Sequence, residues 1–94
     1  MKDSNRLIAG FMGLETSDEM SYHESWDWLT PVVEKINKLG YTTEKNYQPE
    51  DGDWQFRIIK HESDSYRQFS EYGDTSIEAC YLVVIKFIND HNRN

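Results

Sequence analysis

The residues with the composition of a metal site are His23, Glu24 and Asp27, which lie close together in the sequence. His23 and Asp27 are four positions apart and would share one face of a helix that begins before them. A protein zinc site takes four ligands, and this stretch contains no second histidine and no cysteine. The sequence therefore favours a solvated acidic loop here and predicts no metal site.

A second acidic run, Glu50-Asp51-Gly52-Asp53, has the composition of a calcium-binding loop. An EF-hand loop needs further oxygen ligands at fixed positions and a bidentate glutamate at its end. The residues after this run do not supply them at that spacing. We therefore interpret the run as the turn of a β-hairpin.

Cys80 is the one cysteine of the chain, which excludes an internal disulfide and indicates a reducing compartment. A catalytic thiol must be exposed and close to a positive group, whereas Cys80 lies on an apolar stripe between Ile77 and Val84. His61 and His91 form no catalytic pattern with a serine or cysteine, and the chain has no glycine-rich phosphate loop. The sequence thus predicts no catalytic residue and no cofactor, and we expect a protein that is not an enzyme.

The length and charge of the chain narrow its possible partners. Its 94 residues suffice for one domain, predicted to span 1–94, and the formal charge is −7. Phosphate binding needs clustered lysine and arginine, so direct contact with nucleic acid or an anionic membrane is disfavoured and a basic protein surface is favoured. The longest apolar run, residues 80–85, is too short to cross a bilayer, and the N-terminus lacks the apolar stretch of a signal peptide. We therefore expect a cytoplasmic protein.

Hydrophobic periodicity predicts a first helix over residues 4–13, in which the apolar residues share one face. Ser4 is its expected N-cap. The residues that follow are polar and acidic and have no periodicity, so we expect an acidic loop over residues 15–25.

A second helix is predicted from an apolar stripe over residues 29–36. It ends at Gly40, a residue that suits the left-handed position after a helix. Its start is open, because Ser25 can cap a longer helix and Thr30, just before Pro31, can cap a shorter one.

The second half of the chain predicts three strands and a helix. Residues 41–47 and 54–60 are rich in β-type residues and flank the acidic turn, and a third strand is expected near residues 65–72. Thr75-Ser76-Ile77-Glu78 has the spacing of a capping box and opens a long apolar helix, after which residues 89–94 are expected to fray.

These elements predict an α+β fold, a small single-domain sandwich of ααβββα order. A three-stranded antiparallel meander would pack with helices on one face or on both. Its predicted core consists of Leu29, Val33, Ile36, Phe56, Ile58, Cys80, Tyr81, Val84 and Ile88.

Acidic and aromatic residues are interleaved in one stretch of the chain. Between Leu7 and Glu34 there is no lysine or arginine, while Tyr22, Trp26 and Trp28 lie among acids. Interfaces use tryptophan and tyrosine as anchors, and charges set the choice of partner. We expect Tyr22 and Trp26 at the surface, and Trp28 either there or in the core. The predicted partner-binding residues are Glu15, Asp18, Glu19, Tyr22, Glu24, Trp26, Asp27, Asp51 and Asp53.

The patterns of residues 7–13, 28–36, 39–41 and 76–88 resemble those of small phage and prophage proteins grouped as the phage ABA-sandwich domain family. The resemblance covers most of the chain except the loop before Trp26 and the sheet. It implies an α/β sandwich of one domain and an origin in a mobile genetic element. It brings no catalytic residues with it.

The acidic composition is also similar to that of anti-CRISPR proteins, some of which place carboxylates where nucleic acid would bind. The sequence further resembles those of phages and prophages of the Bacteroidetes group, in which RNA-targeting type VI CRISPR nucleases occur. These resemblances imply a counter-defence protein that binds the basic surface of a host nucleic-acid-handling effector and inhibits it. A type VI nuclease is one candidate for that effector.

Two other functions stay open from the sequence. A sponge for a small nucleotide signal would need cations for the phosphate, and the local candidates are Arg57, Lys60 and Arg67. An accessory protein of phage structure or assembly would need no such pocket.

Overall fold

A computed structural model describes residues 2–14, 20–61 and 66–93. The helices and strands follow one another in the order α, α, β, β, β, α, and this confirms the predicted α+β class. The elements are α1 (Lys2–Met12), α2 (Trp26–Lys38), β1 (Thr42–Gln48), β2 (Asp53–His61), β3 (Tyr66–Gly73) and α3 (Ser76–Arg93).

The first helix begins earlier than predicted. α1 starts at Lys2, so Ser4 lies inside the helix and the prediction that it is the N-cap is wrong. The Ser4 side chain instead hydrogen-bonds the side chain of Tyr81 on α3, a partner that a local sequence pattern does not contain. Residues 20–25 form a non-helical turn before α2, while residues 15–19 of the predicted loop lie outside the described residues.

The longer of the two possible forms of α2 is the one observed. Ser25 is its N-cap, and the Ser25 Oγ accepts a hydrogen bond from the backbone N–H of Asp27 at 3.2 Å. Pro31 therefore lies inside the helix, where its missing N–H withholds the regular hydrogen bond from the Asp27 carbonyl.

α2 ends at Lys38 with Leu39 as its C-cap, and Gly40 takes the left-handed position predicted for it. Gly40 has a φ of +101°, which a residue without a Cβ atom adopts at little cost. Its N–H donates to the Asn37 carbonyl at 3.0 Å, and the Tyr41 N–H donates to the Ile36 carbonyl at 3.4 Å. This is the Schellman arrangement, and it turns the chain from α2 into β1.

The three strands form one antiparallel sheet in the order β1-β2-β3. Side chains alternate along β2, so that Phe56 and Ile58 join the core with Phe69, which lies opposite Ile58 on β3. Arg57, between Phe56 and Ile58 in β2, points to the other face of the sheet, where it pairs with Glu44 of β1. One face of the sheet thus packs against helices and the other carries polar pairs.

α3 is the centre of the core. It packs against β2 and β3 on one side and against α1 and α2 on the other. Of the residues predicted for the core, Val33 is partly buried and packs against the others. The remainder are buried, namely Leu29, Ile36, Phe56, Ile58, Cys80, Tyr81, Val84 and Ile88.

The start of α3 follows the capping pattern in its sequence. The Thr75 Oγ1 accepts a hydrogen bond from the Glu78 backbone N–H at 3.2 Å. The helix then runs for 18 residues. Within the described ranges, no helix has both the length and the apolar character needed to cross a membrane.

The end of α3 differs from the prediction. The helix continues to Arg93, whereas fraying was expected from residue 89. The His91 ring stacks on that of Phe87 with an interplanar angle of 14°, and Asp90 pairs with Arg67 of β3 at 3.1 Å. The stack within α3 and the ion pair to β3 hold the last turns in place.

The three helices point in the same direction. Asn5 of α1 contacts Tyr81 of α3, and Phe11 contacts Phe87. The later residue of α1 thus meets the later residue of α3, so the two helices run parallel. Tyr41, just after α2, also contacts Phe87, so α2 ends where α3 nears its end. The C-terminal, negative ends of the helix dipoles therefore lie together, opposite the end at which the β1–β2 hairpin turns.

Gly73 marks the closest approach of β3 to α3. A Cβ atom at Gly73 would lie 2.7 Å from the backbone nitrogen of Ala79 and 2.9 Å from the Cβ of Glu78. We expect Gly73→Ala to lower the free energy of unfolding by about 1–3 kcal/mol, because strand and helix must separate to admit the methyl group. Urea denaturation followed by circular dichroism measures the change.

The matched control is Gly10→Ala. A Cβ atom at Gly10 meets nothing within 4 Å, and the residue lies inside α1. Since alanine favours the helix, this variant should raise the free energy of unfolding by up to about 1 kcal/mol. A Gly73→Ala protein as stable as the unmodified one would contradict the close approach of β3 to α3.

Candidate functional site

An aromatic cluster lies at the end of the molecule where the β1–β2 hairpin turns. Tyr47 and Trp54 are opposite each other in the hairpin, with ring centroids 5.1 Å apart. The Lys45 Nζ lies 5.8 Å from the ring centroid of Trp54 and 5.8 Å from that of Trp26, the first residue of α2. Tyr47 is 50% exposed and Trp26 is 38% exposed. The cluster therefore presents aromatic surface to solvent.

The Lys45 amine has a structural role in this cluster. A cation is attracted to the electron-rich face of an indole ring, with about 0.5–1 kcal/mol per contact at exposed sites. The two contacts of Lys45 join rings that belong to β2 and to α2. They hold Trp26 close to the hairpin.

Carboxylates lie at the same end of the molecule as the aromatic cluster. Asp27 follows Trp26 directly and is exposed, and Glu50 and Asp51 are exposed in the hairpin turn. Asp53 is half-buried, and its Oδ1 has no hydrogen-bond partner among the described residues. We define the hairpin-end surface as the group Trp26, Asp27, Lys45, Tyr47, Glu50, Asp51, Asp53 and Trp54.

Tyr22 lies in the core, so the prediction that it helps to bind a partner at the surface is wrong. It is 1% exposed, and its ring packs edge-on against that of Trp28 at a centroid distance of 5.3 Å. The turn that starts at Ser21, whose carbonyl accepts from the Ser25 N–H at 2.9 Å, folds this segment back onto the helices. Burial raises the pKa of the Tyr22 hydroxyl. Trp28 was expected either at the surface or in the core. It is partly buried and packs against the core.

The other predicted surface residues have different outcomes. Glu24 is exposed just before α2, while Asp27, Asp51 and Asp53 belong to the hairpin-end surface together with Trp26. The predicted binding residues Glu15, Asp18 and Glu19 lie outside the described residues.

Sequence reasoning missed part of this surface. It gave Lys45, Tyr47 and Trp54 no role at a binding surface. A signal was present, because Tyr47 and Trp54 flank the predicted turn at similar distances. Residues so placed face each other in a hairpin, and aromatic pairs across strands stabilise it.

A buried polar group fixes the chain just before the hairpin-end surface. Asn5 is 7% exposed, and its Nδ2 donates to the Met20 carbonyl at 3.1 Å. Its Oδ1 accepts a hydrogen bond from the Tyr81 hydroxyl at 3.0 Å. This one amide links α1, the turn before α2, and α3. The turn that leads into Trp26 is therefore anchored to the core.

His23 belongs to the same polar group. Its Nδ1 lies 3.3 Å from the Asn5 Nδ2, and its ring packs edge-on against that of Tyr81. The Nε2 lies 3.4 Å from a carboxylate oxygen of Glu24. Across the described segments, no group of three histidine, cysteine, aspartate or glutamate residues could hold a metal ion.

Cys80 is sealed in the core. It is fully buried, and burial raises the pKa of its thiol to about 12. The thiol is therefore protonated at neutral pH and has no access to a substrate. The structure offers no chemistry for Cys80 beyond packing.

A cavity of about 300 Å³ lies at the opposite end of the molecule, between α3 and the sheet. Lys60 and Arg67 line it, but Arg57 does not, because it points to the other face of the sheet and pairs with Glu44. Of the three candidate cations for a nucleotide phosphate, Arg57 therefore lies outside this cavity. The alternation of side chains along β2 separates it from Lys60.

Compared with known proteins, the chain matches no family model, no curated protein and no solved structure. The resemblance to the phage ABA-sandwich family stays a prediction.

The Asn5–Tyr81 hydrogen bond can be tested by removing one hydroxyl. Tyr81→Phe leaves the buried Asn5 Oδ1 without this donor and also removes the contact with Ser4, so we expect the free energy of unfolding to fall by about 1–3 kcal/mol. Thermal unfolding measures the loss. Hydrogen exchange of the amides of residues 20–25 should become faster in the same variant.

Tyr22→Phe is the matched control, since it removes a hydroxyl that is buried but has no hydrogen-bond partner among the described residues. We expect its stability to stay the same or to increase, because no hydrogen bond is lost and the cost of burying the hydroxyl disappears. Equal losses in the two variants would contradict the role given to Asn5.

Proposed function

We propose that this protein is a non-enzymatic inhibitor that binds, through its hairpin-end surface, the basic nucleic-acid-binding surface of another protein. The observation that carries the proposal is the exposure of Trp26 and Tyr47 beside exposed carboxylates at one end of the fold. Aromatic residues are enriched in the centres of protein interfaces, whereas charged residues there favour a partner of opposite sign.

The charge of the whole chain supports a basic partner. With a formal charge of −7, the protein attracts a positive surface over distances comparable to the Debye length, which raises the rate of association. The aromatic rings would then supply the short-range contact. Lys45 keeps its positive charge beside the two indole rings, but the hairpin-end surface has four carboxylates against this one amine, so its net charge stays negative.

The partner that we propose for this protein is an effector that binds nucleic acid in a groove. Such a groove presents clustered lysine and arginine side chains, which pair with carboxylates as they pair with phosphates. A guanidinium group also stacks on aromatic rings, so Trp26 and Tyr47 offer arginine a second kind of contact. We infer a counter-defence role in a bacterial host cell, with a phage or prophage as the source and an RNA-targeting type VI CRISPR nuclease as the partner.

The test is inhibition of target-RNA cleavage by a purified type VI nuclease. Inhibition should weaken as salt is raised, because the charge contacts are screened. Trp26→Ala should weaken inhibition by about thirtyfold, or about 2 kcal/mol, if the ring is a central anchor. Tyr72→Ala removes an exposed ring that hydrogen-bonds Gln55 on the other face of the sheet, and it should leave inhibition unchanged.

A second pair of variants separates the position of charge from its amount. Asp27→Asn with Asp51→Asn removes two acids from the hairpin-end surface and should weaken inhibition by roughly fivefold. Asn89→Lys with Asn92→Lys makes the same change in net charge at exposed positions near the end of α3 and should have a smaller effect. Inhibition that is insensitive to salt, or equal losses in the two double variants, would contradict the proposal.

A further inference from the structure

The cavity at the end of the molecule opposite the hairpin-end surface contains an unusual pair of charges. Lys60 and Arg67 are direct partners in the pairing of β2 with β3 and point to the same face. Like charges at directly opposite positions of a sheet destabilise it. The pairing of β2 with β3 therefore does not by itself account for two cations at this position.

The two cations are neutralised unequally. Arg67 pairs with Asp90 of α3 at 3.1 Å. The Lys60 Nζ lies 5.2 Å from the centroid of the Tyr41 ring, and within the described residues it has no carboxylate partner. The pair therefore carries positive charge in excess of its carboxylate. A phosphate group at the cavity mouth would contact Lys60 and the outer edge of the Arg67 guanidinium.

The walls of the cavity suit a flat ring. Tyr41 is half-buried, and its ring is held edge-on to that of the buried Phe87 at 4.8 Å. The exposed His91 ring is stacked parallel to Phe87 at 5.8 Å. Leu39 is 42% exposed and adds apolar surface to the lining. Aromatic side chains of this kind stack on nucleobases without regard to sequence.

The volume limits the size of the ligand. The cavity volume of about 300 Å³ lies at the lower bound for sites that hold small molecules. The cavity therefore has room for one nucleotide and not for an oligonucleotide. We propose that this cavity binds a nucleoside monophosphate, with the phosphate on Lys60 and Arg67 and the base against Tyr41 and His91. The proposal is independent of the proposed function, because the hairpin-end surface lies at the other end of the fold.

The experiment is a titration of the ¹⁵N-labelled protein with AMP, followed by ¹H–¹⁵N NMR. Saturable shifts are expected for amides around the cavity, in residues 39–41, 60 and 87–91, and not for residues 47–54. UMP should bind as well, because stacking does not distinguish bases strongly. Adenosine and inorganic phosphate should each bind at least tenfold more weakly than AMP, since each lacks one half of the contacts.

Lys60→Gln keeps most of the side-chain stem and removes the charge, and it should weaken AMP binding by roughly tenfold. Lys86→Gln removes the same charge from an exposed position of α3 outside the cavity and should leave binding unchanged. The cavity assignment is overturned if no probe binds, if inorganic phosphate binds as tightly as AMP, or if the two lysine variants lose affinity equally.

Discussion

The contacts of one buried ring hold this fold together. Phe87 of α3 is 1% exposed and packs edge-on against Phe11 of α1, Tyr41 at the start of the sheet, and Phe69 of β3, at centroid distances of 6.0, 4.8 and 5.6 Å. Helices on one side and strands on the other therefore meet at a single side chain. Because a small domain has few core residues to spare, the positions of α1 and of the sheet both depend on this part of α3.

The direction imposed on the helices separates two surfaces. Since α1, α2 and α3 run the same way, their C-terminal ends collect at the cavity, where Lys38 and Arg93 complement the dipoles. The hairpin turn and the start of α2 lie at the other end, where Asp27 and Asp51 are exposed. A chain with a strong negative charge thus has one end suited to a basic protein. At the other end, Lys60 and Arg67 oppose the negative helix ends and supply the positive charge for a small anion. Each proposal depends on charges that the fold keeps apart.

Local chemistry predicted much of the fold, and long-range contacts account for the errors. Thr75 and Gly40 were predictable because a cap or a left-handed turn depends on residues within one helical turn. Ser4 and Tyr22 were not, because the partners that place them, Tyr81 and Trp28, lie on other elements. Predicting the hairpin-end surface also requires long-range contacts, because Trp26 and Lys45 meet only when α2 packs beside the hairpin. Exposure of a ring depends on tertiary packing more than on its neighbours in sequence.

The central claim is that the hairpin-end surface, and not the cavity end, meets a basic partner. Hydrogen–deuterium exchange of the protein with and without the type VI nuclease tests it most directly. The account predicts slower exchange in residues 24–28 and 45–54 and unchanged exchange in residues 84–93. Protection confined to residues 84–93, or no protection in any of these segments, would contradict it.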